Sequence, residues 1–191
     1  MRELVYYVAV TLDGYIAGPS GEFDAFLFEG DHMDGINERF GDTLPTDAAG
    51  ALGVPQDRSL FDTVLMGWNT YAVGGVASPY RHLRQIVFSR TRTAEGESLE
   101  VTSEDPVAVV RRLKQEPGSS IWLCGGGALA ASLADEIDRV VLKRHPVLFG
   151  DGIPLFGERR GRTYAPSIFD VGGTTAYQSG VVVTEATRRR R

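Results

Sequence analysis

The strongest local pattern of this chain is Ile121-Trp122-Leu123-Cys124-Gly125-Gly126-Gly127-Ala128-Leu129-Ala130. Residues 121–124 predict a buried strand, the three glycines predict a tight turn, and residues 127–134 predict a short helix. Backbone N–H groups in such a turn approach a ligand without an intervening side chain, and a helix start adds unpaired donors. The pattern therefore indicates a phosphate or pyrophosphate site, with close packing of the strand on the helix as the alternative reason for these glycines.

The remaining sequence repeats the alternation of strands and helices. Further strands are predicted at residues 3–12, 62–66, 84–89, 99–102 and 137–143. Asp105 as N-cap, Pro106 at the first position and Pro117-Gly118 as the stop delimit the clearest helix. Another helix is expected within residues 24–40, and a further one opens at 67–70, whereas residues 41–58 show no period. Residues 167–177 and 181–187 predict a hairpin. The expected fold is α/β, a mostly parallel central sheet with an antiparallel C-terminal hairpin.

Composition narrows the class of protein. The chain has 191 residues, 42% of them hydrophobic, which suits one domain over residues 1–187 followed by a basic tail at 188–191. A net charge of −5 argues against binding to nucleic acid or to anionic membranes. The single cysteine, Cys124, excludes an internal disulfide. No apolar run is long enough to span a bilayer, and no signal-peptide layout is present, so we expect a cytoplasmic protein.

A standard Rossmann domain is an alternative reading of the glycine turn. Gly125, Gly127 and Ala130 fit the G-x-G-x-x-A spacing, and Lys143-Arg144 end the next strand as an NADP-type reader would. However, too little parallel α/β chain follows Arg144 to complete that fold. The sequence therefore argues against a Rossmann domain.

Two other strand ends carry groups suited to anions. Residues 66–70 (M-G-W-N-T) end a strand and open a helix with the Thr70 hydroxyl, and Ser89-Arg90-Thr91 leave the next strand with two hydroxyls and a guanidinium. Taken singly, they also suit a capped helix or a solvated loop. Carboxyl ends of parallel strands share one edge of a sheet, where ligands of such sheets bind, so we expect these ends to meet one ligand.

These segments occur in an order that resembles a known family. V-A-V-T-L-D-G-Y-I-A-G lies at residues 8–18, V-L-M-G-W-N-T-Y at 64–71, V-F-S-R-T at 87–91, and D-R-V-V-L-K-R-H-P-V-L-F-G-D-G-I-P-L-F at 138–156. With the glycine turn, they resemble the dihydrofolate reductase-like superfamily. The branch most similar includes the C-terminal reductase domain of the bifunctional riboflavin-biosynthesis deaminase–reductase. The resemblance implies a three-layer fold and NADPH as hydride donor.

The resemblance also implies roles for individual residues. Ala9, Ile16, Ala17 and Gly18 would border the nicotinamide and ribose. Pyrophosphate would be held from two helix starts, by Gly67, Trp68, Asn69 and Thr70 and by Gly125, Gly126, Gly127 and Ala128. Ser89, Arg90 and Thr91 would lie at the adenosine 2′-phosphate. Trp68 stands where relatives commonly have Arg or Lys, so one basic contact is missing and NADH stays an alternative donor.

The catalytic acid is harder to assign. Folate reduction uses a carboxylate on the helix after the first strand, and this chain offers Asp24, Asp31 and Asp34 there, of which we assign Asp24. Asp13 lies in a D-G turn and is expected to form that turn. Cys124 and Trp122 are expected to pack in the core. His32, His82 and His145 have no metal-ligand spacing, so no metal is expected.

Two hypotheses about function follow. The first is an NADPH-dependent reductase of a small heterocyclic, pterin- or pyrimidine-like, or otherwise unsaturated substrate, including riboflavin-pathway-type chemistry; the deaminase zinc signature is absent from the chain. The second is a non-catalytic nucleotide-binding protein that keeps the cofactor cleft. The family branch leads us to expect a homodimer.

Overall fold

The computed structural model describes residues 1–158 and 165–189. Within these ranges the strands are β1 Leu4–Val10, β2 Tyr15–Ala17, β3 Phe61–Gly67, β4 Arg84–Phe88, β5 Leu99–Thr102, β6 Ser120–Gly125, β7 Arg139–Arg144, β8 Ile153–Pro154, β9 Phe169–Ala176 and β10 Val182–Arg188. The α-helices are α1 Asp31–Phe40, α2 Thr46–Leu52, α3 Trp68–Ala72, α4 Pro106–Gln115 and α5 Gly127–Ser132. A 3-10 helix spans Gly41–Thr43.

The central sheet has the strand order β5-β4-β3-β6-β1-β7-β10-β9. The six strands from β5 to β7 are parallel, and β10 and β9 add an antiparallel hairpin at one side. A separate antiparallel pair joins β2 to β8. The predicted sheet and hairpin are confirmed. All six parallel strands end at the same side, called here the carboxyl edge.

Alternation along β1 explains why the sheet is covered on both sides. Leu4 and Tyr6 are buried with α4 and α5 on one face, whereas Val5 and Tyr7 are buried with α1 on the other. The Tyr7 and Phe40 rings lie with centroids 4.7 Å apart. Successive residues of a strand point to opposite faces, so this apolar run on both faces requires three layers. We refer to the two sides as the α4–α5 face and the α1 face.

Helix α4 forms as its capping residues predict. The Asp105 carboxylate accepts a hydrogen bond from Ala108 N at 3.2 Å, and Pro106 is the first helical residue. The helix ends at Gln115, two residues before Pro117. Val110 and Leu113 are fully buried on its inner side.

Residues 41–58, which carry no sequence period, contain the 3-10 helix and α2. Asp42 organises this segment, because its buried carboxylate accepts hydrogen bonds from the backbone N–H groups of Arg58, Leu60 and Phe61. Helices this short bury too few residues to show a 3.6-residue period. This segment is held by a buried acid with three N–H partners, where a longer helix would be held by a stripe of apolar residues.

The first two residues of the expected basic tail contact the neighbouring strands. Arg188 ends β10 and its guanidinium donates hydrogen bonds to the carbonyls of Ile137, at 2.6 Å, and Ala134. Arg189 forms an ion pair with Asp170. Both arginines are therefore fixed by the neighbouring strands, and residues 190–191 of that prediction lie outside the described residues.

Across the described ranges, no helix is long and apolar enough to cross a bilayer.

Two buried histidines fix the segment that leads into α1, residues 18–30. His145, 4% exposed, accepts a hydrogen bond at Nδ1 from Leu27 N, 3.2 Å away. His32, fully buried, lies with Nε2 3.1 Å from Leu27 O. Burial, and then the positive charge of Lys143 and the neighbouring His32, lowers the pKa of His145 from 6.5 to about 4. A protonated Nδ1 could no longer accept from Leu27 N.

We therefore expect acid to destabilise the fold partly through His145. The unfolded chain takes up this proton more readily than the folded chain, so stability is lost as the pH falls from about 6.5 to about 4, by roughly 3 kcal/mol in all. His145→Asn keeps an acceptor near Nδ1 and removes the titration. Urea unfolding at several pH values should show a shallower loss in the variant; the same slope in both proteins would contradict this role.

Candidate functional site

The glycine turn and the end of β3 meet at the carboxyl edge. Met66 pairs with Gly125 in the sheet, and a Cβ added at Gly67 would lie 3.8 Å from Gly126 N. A Cβ at Gly126 would lie 3.4 Å from the Thr70 hydroxyl oxygen. The Gly125–Gly126 peptide is cis. The two helix starts predicted to share a ligand are thus brought together around the Thr70 hydroxyl.

The segment at residues 152–157 closes against this turn. A Cβ at Gly127 would lie 2.2 Å from the Pro154 carbonyl oxygen, so no side chain fits there. Gly157 N donates a hydrogen bond of 2.9 Å to Gly127 O, and Tyr6 Oη donates one of 2.9 Å to Leu155 O. On the open side of the turn, Ile16 Cδ1 lies 4.0 Å from the Cβ position of Gly126. The segments at 8–18, 121–127 and 138–156 therefore build one site.

Asp13 ties the loop after β1 to the loop before β8. Its carboxylate accepts hydrogen bonds from Thr11 Oγ1 at 2.5 Å, from Gly150 N at 2.8 Å and from Phe149 N. The Thr11 hydrogen bond, followed by those from the loop amides, holds the pKa of Asp13 below its usual value. The carboxylate is thus ionised at neutral pH, and hydrogen bonds that shape the turn already use its oxygens. Asp13 therefore has the turn-forming role expected for it.

A surface cavity of about 290 Å³ lies where β4 ends. Its lining brings the predicted 2′-phosphate segment beside α3: Trp68, Asn69, Phe88, Ser89, Arg90, Thr91 and Arg92. Ser89 Oγ accepts hydrogen bonds from Arg92 N at 2.9 Å and from Thr91 N at 3.4 Å, and so shapes the loop. Arg92 was not identified from the sequence. Arg92 does not stand at a strand end in the sequence. It reaches the cavity only because this loop folds back.

A larger cavity of about 630 Å³ lies at the opposite edge, where β3, β4 and β5 begin. It is lined by arginines, two of which pair with acids of the same lining. Arg2 is paired with Asp62, and Arg84 with Glu100 and Glu116 at 3.2 Å each. Because these guanidinium groups are already neutralised, this cavity is a weaker anion site than the carboxyl edge.

Lys143, on the α1 face, is a second residue whose surroundings the sequence did not reveal. It pairs with Ala9 in the sheet, and its Nζ lies 4.3 Å from the centroid of the Tyr7 ring. No ion pair joins it to an acid in the described part of the chain, where Lys114, the other lysine, is paired with Asp138 at 2.6 Å. The buried Tyr7 hydroxyl beside it has no hydrogen-bond partner among the same residues.

The neighbours of Lys143 are uncharged at neutral pH. Burial raises the pKa of the Cys124 thiol to about 12, so Cys124 is no thiolate nucleophile. His145 is neutral for the reason given above. Trp122, on strand β6 with Cys124, donates its indole N–H to Tyr7 O at 3.1 Å and packs in the core as expected. Tyr7, Cys124 and His145, the neighbours of Lys143 named here, therefore offer no charge to pair with its ammonium group.

The three acids considered for catalysis take different positions. Asp24 is exposed in a turn before α1, not on the helix. Asp31 accepts hydrogen bonds from Gln178 N and Ser179 N, at 2.7 and 3.0 Å, and so anchors the turn of the C-terminal hairpin. Asp34 lies exposed on α1. The catalytic role of Asp24 stays a prediction, and its exposure sets it apart from a buried, tuned acid. In the described residues, no group of three or more His, Cys, Asp or Glu side chains could hold a metal ion.

Relatives share this architecture. The uncharacterised protein YwjB of Bacillus subtilis is 34% identical over 169 residues, covering 85% of this chain and 87% of YwjB. A Shewanella sp. PV-4 protein, named for riboflavin biosynthesis, superimposes with a TM-score of 0.70 at 23% identity and 100% coverage of both chains. Dihydrofolate reductase of Enterococcus faecalis, complexed with NADP(H), superimposes with a TM-score of 0.65 at 13% identity, covering 98% of this chain and 97% of the enzyme.

These likenesses confirm the expected dihydrofolate reductase-like fold, with its mostly parallel sheet and antiparallel C-terminal strands. The family match spans residues 2–183, from the strand before the D-G turn to the last strand of the sheet. The chain belongs to the RibD C-terminal domain family.

Proposed function

We propose that this protein is an NADPH-dependent reductase of a small heterocyclic, pterin- or pyrimidine-like, or otherwise unsaturated compound. The observation that carries the proposal is the assembly at the carboxyl edge of the Gly125–Gly126 turn, the Gly67 helix start and the cavity beyond β4. NADPH, when bound, would supply the hydride. The fold likeness to an Enterococcus faecalis reductase complexed with NADP(H) supports the same assignment.

The residues present suit a dinucleotide. Gly126 leaves open the space between the Thr70 hydroxyl and Ile16, so that a ligand can approach the backbone of the turn there. The pyrophosphate would be held by Gly67, Trp68, Asn69, Thr70 and Gly125 to Ala128. The adenosine side of the cofactor would lie against Ser89, Arg90 and Thr91. The nicotinamide side would lie against Ala9, Ile16, Ala17 and Gly18.

Lys143 would supply the proton that a C=O or C=N substrate needs. As the carbon takes the hydride, negative charge develops on the heteroatom, and an unpaired ammonium nearby stabilises it. One N–H bond of Nζ breaks, the heteroatom–hydrogen bond forms, and Nζ recovers a proton from water. No acid forms an ion pair with Lys143 in the described part of the chain, and this favours the role. A carboxylate partner would compete with the substrate for the ammonium group.

The exposure of Asp24 favours a second candidate, a nucleotide-binding protein without turnover. That candidate predicts NADPH binding without oxidation by any pterin, pyrimidine or carbonyl compound. A homodimer stays a prediction from the family resemblance, and sedimentation velocity would test it. A cytoplasmic location stays a prediction from the sequence pattern.

The cofactor site is tested by Gly126→Val. The backbone of Gly126 is compatible with a side chain, with φ at −96°, but the valine would fill the space beside Thr70. We expect NADPH affinity, measured by calorimetry, to fall roughly 100-fold or more, since the backbone donors become inaccessible.

Gly74→Val is the matched control, because nothing lies within 4 Å of a Cβ at Gly74. It should bind NADPH as the wild type does. Wild-type binding by a folded Gly126→Val protein would argue against this site, and no binding of NADPH or NADH by the wild type would refute the proposed function.

Lys143→Met tests the proton donor. With the compound that oxidises NADPH fastest from a panel of 7,8-dihydrofolate, a ribosylaminouracil phosphate and an aromatic aldehyde, kcat should fall about 10²- to 10⁴-fold. The Kd of NADPH should stay unchanged, because Lys143 is not among the residues proposed to hold the cofactor. Lys143→Arg keeps the charge but releases a proton poorly, and should stay slow. Full kcat in both variants would exclude Lys143 as donor.

A further inference from the structure

The larger cavity, at the edge where β3, β4 and β5 begin, is bordered by two unusual backbone conformations. Arg58 has φ at 60° and Ser98 has φ at 54°, and among the described residues these two are the non-glycine residues in the left-handed region. This region is unfavourable for a residue with a side chain, and residues held in it are concentrated at functional sites. The two lie in separate loops, one before β3 and the other before β5, yet both line this cavity of about 630 Å³.

Hydrogen bonds from other segments hold both loops in these conformations. The Asp42 carboxylate accepts one of 3.0 Å from Arg58 N, and Ser119 Oγ donates one of 2.7 Å to Arg58 O. Gln85 N donates one of 2.7 Å to Ser98 O. The Arg58 and Ser98 side chains therefore leave the backbone from fixed positions at the cavity.

Arg58 is the arginine of this lining without an acid partner in residues 1–158 and 165–189. Arg2 and Arg84 pair with acids of the same lining, and Arg81 pairs with an exposed acid outside it. Burial lowers the pKa of His82, which also lines the cavity and is therefore uncharged at neutral pH. The described lining thus offers a single unneutralised positive charge to a ligand.

The rest of the lining suits a small organic carboxylate. A guanidinium binds a carboxylate through two parallel hydrogen bonds, and the single charge of a carboxylate matches the one available. A phosphate monoester carries close to two charges at neutral pH, of which one would lack a partner. Leu99 and Pro117 border the cavity with apolar atoms, and the Ser98 hydroxyl can donate to a carboxylate oxygen. The volume is within the usual range of small-molecule sites.

We propose that this cavity is a second ligand site, which binds a small organic monocarboxylate through the Arg58 guanidinium. The inference goes beyond the proposed function, because the glycine turn and the loop after β4 take no part in it. Strands β3 and β4 run from this cavity to the carboxyl edge, so the two sites lie at opposite ends of the same strands. The protein can therefore hold both ligands at once.

The test titrates the full chain with benzoate and follows the backbone amide resonances by NMR. We expect saturable shifts at Arg58, Gly96 and Ser98, with a Kd on the order of 1 mM, as suits a ligand of this size. Benzamide has the same shape without the charge, and it should bind at least about tenfold more weakly. Equal affinity for benzoate and benzamide, or displacement of benzoate by NADPH, would overturn the inference.

Arg58→Gln should weaken benzoate about tenfold or more, because it removes the charge and keeps a polar side chain on the same backbone. Unchanged resonances in the other strands would show that the variant is folded. Arg111→Gln is the matched control, since it removes an exposed arginine that pairs with Glu136 outside this lining, and it should bind benzoate as the wild type does.

Three further results would contradict the second site. They are wild-type affinity for benzoate in a folded Arg58→Gln protein, shifts confined to the carboxyl edge, and no saturable binding by the wild type up to about 20 mM benzoate.

Discussion

The contact between Gly127 and the Pro154 carbonyl governs the arrangement of the site. With only 2.2 Å between that oxygen and the position of a Cβ, the two backbones can approach only where a side chain is missing. The Gly157–Gly127 hydrogen bond then fixes the segment after β8 on the first turn of α5. Because β8 pairs with β2, the same contact places Ile16 beside the glycine turn. Three distant segments thereby become one surface.

Charge separates the two edges of the sheet. At the edge where the parallel strands begin, Arg2 and Arg84 are neutralised by acids. At the carboxyl edge, Arg90, Arg92 and Lys143 have no carboxylate partner among the described residues, and Asp13 is occupied by backbone amides. Cations without a carboxylate partner are suited to an anionic ligand. The smaller cavity is therefore chemically better suited to a nucleotide than the larger one.

Local patterns identified much of the fold in advance. Apolar runs marked the parallel strands, and Asp105 with Pro106 marked α4, because burial and capping act over neighbouring residues. Residues 41–58 escaped prediction since Asp42 organises them through amides up to 19 positions away.

The site was predicted in part for the same reason. The glycine turn and Ser89-Arg90 stand directly at strand ends, where the pattern is readable. Arg92 and Lys143 owe their significance to the aromatic rings they lie against, Trp68 and Tyr7, which no spacing along the chain reveals. Asp24 was assigned on the expectation that it lies on a helix, but α1 begins only at Asp31.

The most direct test of the central claim is amide hydrogen exchange with and without saturating NADPH. The account predicts slower exchange in residues 67–70, 89–92 and 125–128 together, with no change around Arg58 and residues 96–100 at the opposite cavity. Protection confined to the opposite cavity, or absent from all three segments at the carboxyl edge, would contradict it.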